Sequence, residues 1–386
     1  NHCNNIMMHG ITVQNSPSWT IHPYFSNHLK FIDVKIKNPA NSHNTDGLDP
    51  ESCQDVLVLG TYISVGDDCI AIKSGKIYQA RKYEIPTSDM TVRQCCMRDG
   101  HGAVTVGSEI AAGVKNVHIT DCLFMNTDRG LRVKTRRGRG KLSVLDDISF
   151  ENIDMDNVMT PFDVNSFYFC DPDGKTEYVG SRKPLPVDDR TPSIKKFIFK
   201  NINAKNCHVA GTYICGLPES KIEELVFENI NITNTKDYTG IISYCNGDIE
   251  NIDFRTITIE GGMYIGCIGS SNNNISNIQM EKINIFSKGS FVGGLVGIIE
   301  MGKIKNLNAN NIEIEGIHQV GGIAGKNIGS LAGMEKVVMR NSKITGISFI
   351  GGVGGMLGTV KDAKVLGTVV SGEYRVGCVS GYLARI

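Results

Sequence analysis

A short unit of alternating apolar and polar residues, close to apolar-x-Asn-Ile-x-Ile, recurs along almost the whole chain and constrains its fold more than any other feature. It reads FIDVKIKN at 31–38, DVLVLGTYIS at 55–64, ISFENIDMDN at 148–157, FIFKNINAKN at 197–206, LVFENINITN at 225–234 and NLNANNIEIEG at 306–316. Each copy alternates with period two, is rich in Ile and Val, and ends in residues that turn a chain. Phe199 to Phe227 spans 28 residues, and Phe227 to Phe254 spans 27. A fixed period in this range means stacked supersecondary units. Helical periodicity is nearly absent, so the spacing predicts an all-β, right-handed parallel β-helix whose inward Ile, Val and Phe form a continuous core.

A second repeat overlies the first in the C-terminal part: YIGCIG at 264–269, FVGGLVG at 291–297, QVGGIAG at 319–325, FIGGVGG at 349–355 and RVGCVSG at 375–381. Glycine pairs at a fixed place in each coil suggest tight bends where a Cβ is not tolerated. Function therefore has to be sought where the repetition breaks.

Composition excludes several classes. With 40 basic and 40 acidic side chains the formal charge is zero, which argues against nucleic acid and against a general attraction to anionic lipid. No apolar run approaches the ~18 residues of a membrane span. The twelve cysteines show neither disulfide-scaffold clustering nor C-x-x-C pairs, and most read as small buried hydrophobes.

Four segments interrupt the repeat: NTDGLDP at 44–50, VGDDCIAIKSG at 65–75, DGHGAVTVGSE at 99–109 and DRGLRVKTRRGRGK at 128–141. Asp67 follows Asp46 by 21 residues, His101 follows Asp68 by 33, and Arg132 follows His101 by 31. These are roughly single-coil steps. Stacking places Asp46, the Asp67-Asp68 pair, His101 and Arg132 along one line, on the order of 15 Å long. A lone Asp-Asp pair is as readily a solvated loop or a calcium ligand. Three crowded carboxyls cannot all ionise easily, however, so at least one should be raised toward the working pH. A proton donor beside a carboxylate is what glycoside hydrolysis requires.

Asn44-Thr45-Asp46, Asp67-Asp68, Gly100-His101-Gly102 and Arg132-Val133-Lys134 together resemble, in this order, the hallmarks of the family 28 glycoside hydrolases, the polygalacturonases and their relatives. The resemblance covers roughly residues 1–235, and NSPSWTIHP at 15–23 with MTPFDVNSFYFCDPDG at 159–174 is similar to the bacterial, exo-acting branch. It implies inverting hydrolysis of α-1,4 bonds between galacturonate units, exo rather than endo, with Asp67 as general acid. Asp46 and Asp68 would activate water, and His101 would support the acid. Arg132 and Lys134 would hold a sugar carboxylate, with Asn44 and Tyr168 as further binding residues. Acid and base carboxyls about 6.5–9.5 Å apart would suit inversion.

The seven positive charges among residues 129–141 suit the carboxylates of a pectic polysaccharide or oligogalacturonide, although Arg136 to Lys141 also read as a solvated loop. Residues 170–192, with four prolines, read as a long loop over one end of the cleft, which would favour exo attack. Neither a metal nor an organic cofactor is expected, and the chain reads as a monomer. The resemblance further implies coils ahead of residue 1 and an extracellular setting, with cytoplasmic processing of oligogalacturonides as the alternative. Residues 236–386 resemble the glycine-rich GLUG repeat and read as solenoid continuing the stack. A non-catalytic β-solenoid adhesin or carbohydrate-binding protein is the competing function.

Overall fold

The protein, seen in a computed structural model, is described for residues 1–207, 211–234, 237–245, 248–329 and 332–384. It is an all-β parallel β-solenoid, as the repeat predicts. Two compact units are present: Asn1–Ile202 with Ile214–Glu224, and Asn203–Tyr213 with Leu225–Ile386. The division expected at 235/236 falls on residues outside the described set.

In the first unit the recurring strands pair in parallel from coil to coil. Asn27–Ile32 lies on Gln54–Leu59, then come Thr87–Arg93, Val114–Met125 and Val144–Asp156. Period-two alternation sends Val56, Met90, Val117 and Ile148 inward, each at most 1% exposed. Asn residues at the strand corners take left-handed backbone, as with Asn126 and Asn157, whose side chains bond at 2.9 Å across coils. A polar side chain that tolerates positive φ and stacks on its own copy explains why the unit keeps ending in Asn.

A second sheet of the first unit carries residues of the segments that interrupt the repeat. Four of its five strands among the described residues are β1 (Ile70–Ile72), β2 (Val104–Gly107), β3 (Arg129–Lys134) and β4 (Thr160–Asn165). Each is parallel to the next. The longest helix among the described residues is the seven-residue turn Ile77–Tyr83 after β1.

In the second unit Ile249–Gly261, Ile275–Ser287, Lys303–Glu315, Gly333–Arg340 and Thr359–Leu366 stack in register. One core column runs Phe254, Met280, Ala309, Met339, Val365. The glycine pairs sit at the expected bends, with Gly294, Gly322 and Gly352 at the corners between short strands. Left-handed backbone is taken by Gln319, Phe349 and Arg375 just ahead of them. A Cβ on Gly322 would instead stand 2.2 Å from the carbonyl oxygen of Gly352 in the next coil, so the pairs exist to let backbone approach backbone.

Phe254 is fully buried and stacks on Phe227 at a centroid separation of 6.0 Å. Phe254→Ala is expected to lower stability by about 3–5 kcal/mol. Arg255→Ala, which removes an exposed pair with Asp253, should cost less than about 1 kcal/mol. Denaturant midpoints of the two variants check this.

Candidate active site

The outer face of the second sheet is the floor of the site. Register places Ala71, Thr105, Arg132 and Asp163 in one column, and Gly107 beside Lys134 in the next. Asp46 lies one coil earlier than the pair Asp67-Asp68, because the Gly47 N–H donates to the Asp68 carbonyl at 3.0 Å. His101 lies one coil later, its N–H donating to the Asp67 carbonyl at 3.0 Å. The expected coil order of the four motifs is thus present, and all are brought to one face. Gly102 is the residue that lets them meet: a Cβ there would stand 2.8 Å from Asp68 Oδ1.

Asp68 is fully buried, and both of its oxygens are held. Lys134 Nζ donates to Oδ2 at 2.6 Å and Arg132 to Oδ1 at 3.2 Å. Burial alone would push the Asp68 carboxyl up, but Lys134 and Arg132 outweigh it and hold it well below the usual carboxylate range. Asp46, only 4% exposed, shows the opposite outcome. Burial first, and then the charge of Asp68, raise it to about 7. Asp67 is the more exposed member. Its Oδ1 accepts the Asp68 N–H at 2.9 Å and its Oδ2 the Asn44 N–H at 3.3 Å.

One oxygen from each of the three carboxylates lies within 4.8 Å of the others. This is tighter than the gap of about 6.5–9.5 Å expected between an acid and a base on opposite walls of a cleft. The reason is topological: Asp67 and Asp68 are adjacent on one coil and Asp46 lies on the coil before, in the turns ahead of the second sheet, where the step between coils is about 4.8 Å. Such spacing alone suits a divalent cation. Asp68 has already given both oxygens to protein cations and burial favours a proton on Asp46, so the donor set lacks the free anionic oxygens a hard cation takes.

The other expected residues are placed as follows. The His101 imidazole pairs with Asp128 Oδ2 at 2.7 Å, at the half-exposed rim, rather than with a carboxylate of the cluster. Asn44 contributes its backbone N–H. Tyr168 comes beside the Arg-x-Lys segment, its ring centre 5.7 Å from Arg132 Cζ and 5.4 Å from Lys134 Nζ.

The family model described as glycosyl hydrolases family 28 matches residues 1–246. The chain belongs to this family. It is 29% identical over 229 residues to a probable polygalacturonase of Vitis vinifera, covering 59% of this chain and 44% of that protein. A probable polygalacturonase of Arabidopsis thaliana is 32% identical over 72% of this chain and 56% of its own length. The chain therefore spans about half the length of these relatives. In fold it is similar to a family 28 exopolygalacturonase of Yersinia enterocolitica, with TM-score 0.50 and 19% identity over 66% of this chain and 43% of that one.

Elsewhere this family 28 chain departs from its sequence reading. Arg136, Arg137 and Arg139 are neither a solvated loop nor substrate-facing, since each is at most 3% exposed. They anchor residues 170–192, which contain the short helices Pro172–Lys175 and Glu177–Gly180. Arg136 holds Asp173 at 2.8 Å, Arg139 holds Asp171 at 3.1 Å, and Arg137 grips Glu219 and the carbonyls of Tyr178, Ser181 and Lys183. Asp163, missed from sequence, takes Arg129 Nε at 3.1 Å and lies 4.0 Å from Arg132 Nε. It follows Arg132 by 31 residues, the same step that separates His101 from Arg132. Extending the spacing argument by one coil would have found it.

Because the Asp46 carboxyl is raised above its ordinary 3.8, the folded protein holds this proton more tightly than the unfolded chain. Its contribution is complete below the unfolded value and is lost as pH rises toward 7. Asp46→Asn should therefore raise Tm relative to wild type by several degrees at pH 8 and by less at pH 4, as read by thermal melts at both pH values.

Proposed function

We propose that this site is a polygalacturonase, hydrolysing α-1,4-galacturonosyl bonds of pectic polysaccharide with inversion at the anomeric carbon. The observation that carries the reading is the division of labour among three adjacent carboxyls: one clamped as an anion, one raised toward neutrality, one facing the cleft. Asp68 is the fixed charge that orients water. Asp46, poised near 7, is the general base that takes the water's proton, since a base works best when its pKa lies near the operating pH. Asp67 gives its proton to the leaving oxygen. Inversion is favoured over a covalent intermediate because both oxygens of Asp68 are committed to cations and Asp46 is buried, leaving water as the free nucleophile.

Arg132 and Lys134, with the Tyr168 ring against them, form the cationic wall that recognises a galacturonate carboxylate beside the scissile bond. His101, paired with Asp128, supports the rim on the side of the acid. Exo attack is supported by the segment after Tyr168, which Lys76, Arg136, Arg137 and Arg139 hold in place beside the site. We read residues 1–235 as the catalytic β-helix and 236–386 as GLUG-like solenoid without a part in the chemistry. The expected setting is extracellular, acting on pectin, and no helix among the described residues is long and apolar enough to cross a membrane.

The test separates acid from base. Wild type should release reducing ends from polygalacturonate, chiefly as monomer or dimer. Asp67→Asn should lose at least ~10²-fold on the polymer yet retain activity on an aryl galacturonide whose leaving group needs no proton. Asp46→Asn and Asp68→Asn should lose activity on both. An inactive wild type, binding polygalacturonate without cleaving it, favours the carbohydrate-binding alternative, and an undiminished Asp67→Asn removes the acid assignment.

A further inference from the structure

Lys73 is a buried cation to which the hydrolase reading gives no task. It follows β1 directly and is 3% exposed. Its ammonium lies 4.1 Å from the centre of the Trp19 ring, 3.3 Å from Glu109 Oε2 and 3.6 Å from Asp49 Oδ2. Asp49 is fully buried, and neither of its oxygens has a hydrogen-bond partner. A buried carboxylate without donors is costly and persists only where a cation compensates it. Burial raises the Asp49 carboxyl well above the usual carboxylate range, and Lys73 is the cation beside it that opposes this.

The register gives this pair a place in the site. Ile72 pairs with Val106 and Gly107 pairs with Lys134, so the next column reads Lys73, Gly107, Lys134. Gly107 is bare by necessity: its φ is +115° and a Cβ would stand 2.3 Å from the Lys134 carbonyl. Two lysines therefore stand two coils apart in one column beside the aspartates. Lys134 grips Asp68, while Lys73 grips Asp49, three residues after Asp46 on the same bend.

We infer that Lys73 is a positioning residue for this site, anchoring the 46–49 segment through Asp49 and supplying the positive field in which Asp46 works as a base. The inference rests on the hydrolase reading above. The titratable groups that face Asp46 are Asp67 and Asp68 from the following coil, Asp49 on its own segment, whose carboxyl burial raises, Lys73 after β1 and Lys134 on β3. Of these, only the two lysines favour its ionised form. Lys73 itself stays charged, because Asp49, Glu109, Asp46 and Asp68 outweigh its burial. Being buried beside the Trp19 ring, it acts through other residues rather than by touching substrate.

The test follows kcat and KM on polygalacturonate from pH 4 to 9 for wild type, Lys73→Met and Lys73→Arg. K73M should move the acid limb of kcat/KM upward by about one pH unit. KM should stay within about twofold of wild type, since no substrate contact is removed. K73R should restore the wild-type limb. Uniform loss at every pH with an unmoved limb overturns the inference and leaves Lys73 a structural residue. If K73M does not fold, D49N/K73M takes its place: burial already favours a neutral Asp49, so the double variant removes chiefly the lysine charge and a shift in the same direction is expected. If wild type proves inactive, the hydrolase reading fails, and carbon NMR titration of the Asp46 carboxyl decides this inference separately: an upward shift in K73M supports it and an unchanged titration overturns it.

Discussion

Both oxygens of Asp68 are held by cations from a strand two coils further along, and the chemistry of the site depends on that clamp. Burial of a carboxylate this deep would ordinarily force a proton onto it. Lys134 at 2.6 Å and Arg132 at 3.2 Å prevent this, so a permanent negative charge stands on the floor of the site. That charge then acts on Asp46, whose own burial already disfavours ionisation, and moves it to about 7. Two aspartates a coil apart thus acquire opposite proton affinities without any difference in side-chain chemistry. The solenoid makes such pairing simple, since residues 22 or 34 positions apart become neighbours by register alone.

The fold was legible in the sequence because it is written many times over. Period-two alternation, Ile and Val enrichment and turn-forming residues, often Asn, at the corners recur from coil to coil, and each copy predicts the same geometry. The four site motifs were legible for the complementary reason that they break the repetition, and their single-coil spacing already placed Asp46, Asp67, Asp68, His101 and Arg132 on one face. What sequence could not show was the direction of each side chain. The His101 imidazole turned to Asp128, and the carboxylates lie closer than opposite walls would set them.

The basic segment misled for a physical reason. Seven positive charges among residues 129–141 look like one binding surface when counted along the chain. The strand ends at Lys134, so Arg132 and Lys134 remain on the floor while Arg136, Arg137 and Arg139 turn away and are buried. Their partners, Asp171, Asp173 and Glu219, lie 32 to 82 residues distant and announce themselves by no motif. The same holds for Lys73 and Asp49, whose pairing depends on the register of strands. Glycine pairs in the second unit sit at bends, as the repeat predicts, and only coil stacking reveals that a close approach of backbones is what keeps them bare.

The account turns on water, rather than an aspartate, as the attacking group in a cluster whose oxygens lie within 4.8 Å of one another. The anomeric configuration of the sugar first released answers this most directly, followed by proton NMR during the opening minutes of polygalacturonate hydrolysis, before mutarotation. Initial appearance of the β-anomer from the α-linked chain is the predicted result. The α-anomer appearing first would mean a covalent glycosyl intermediate on one of the three aspartates, and would contradict the roles assigned to Asp46 and Asp68.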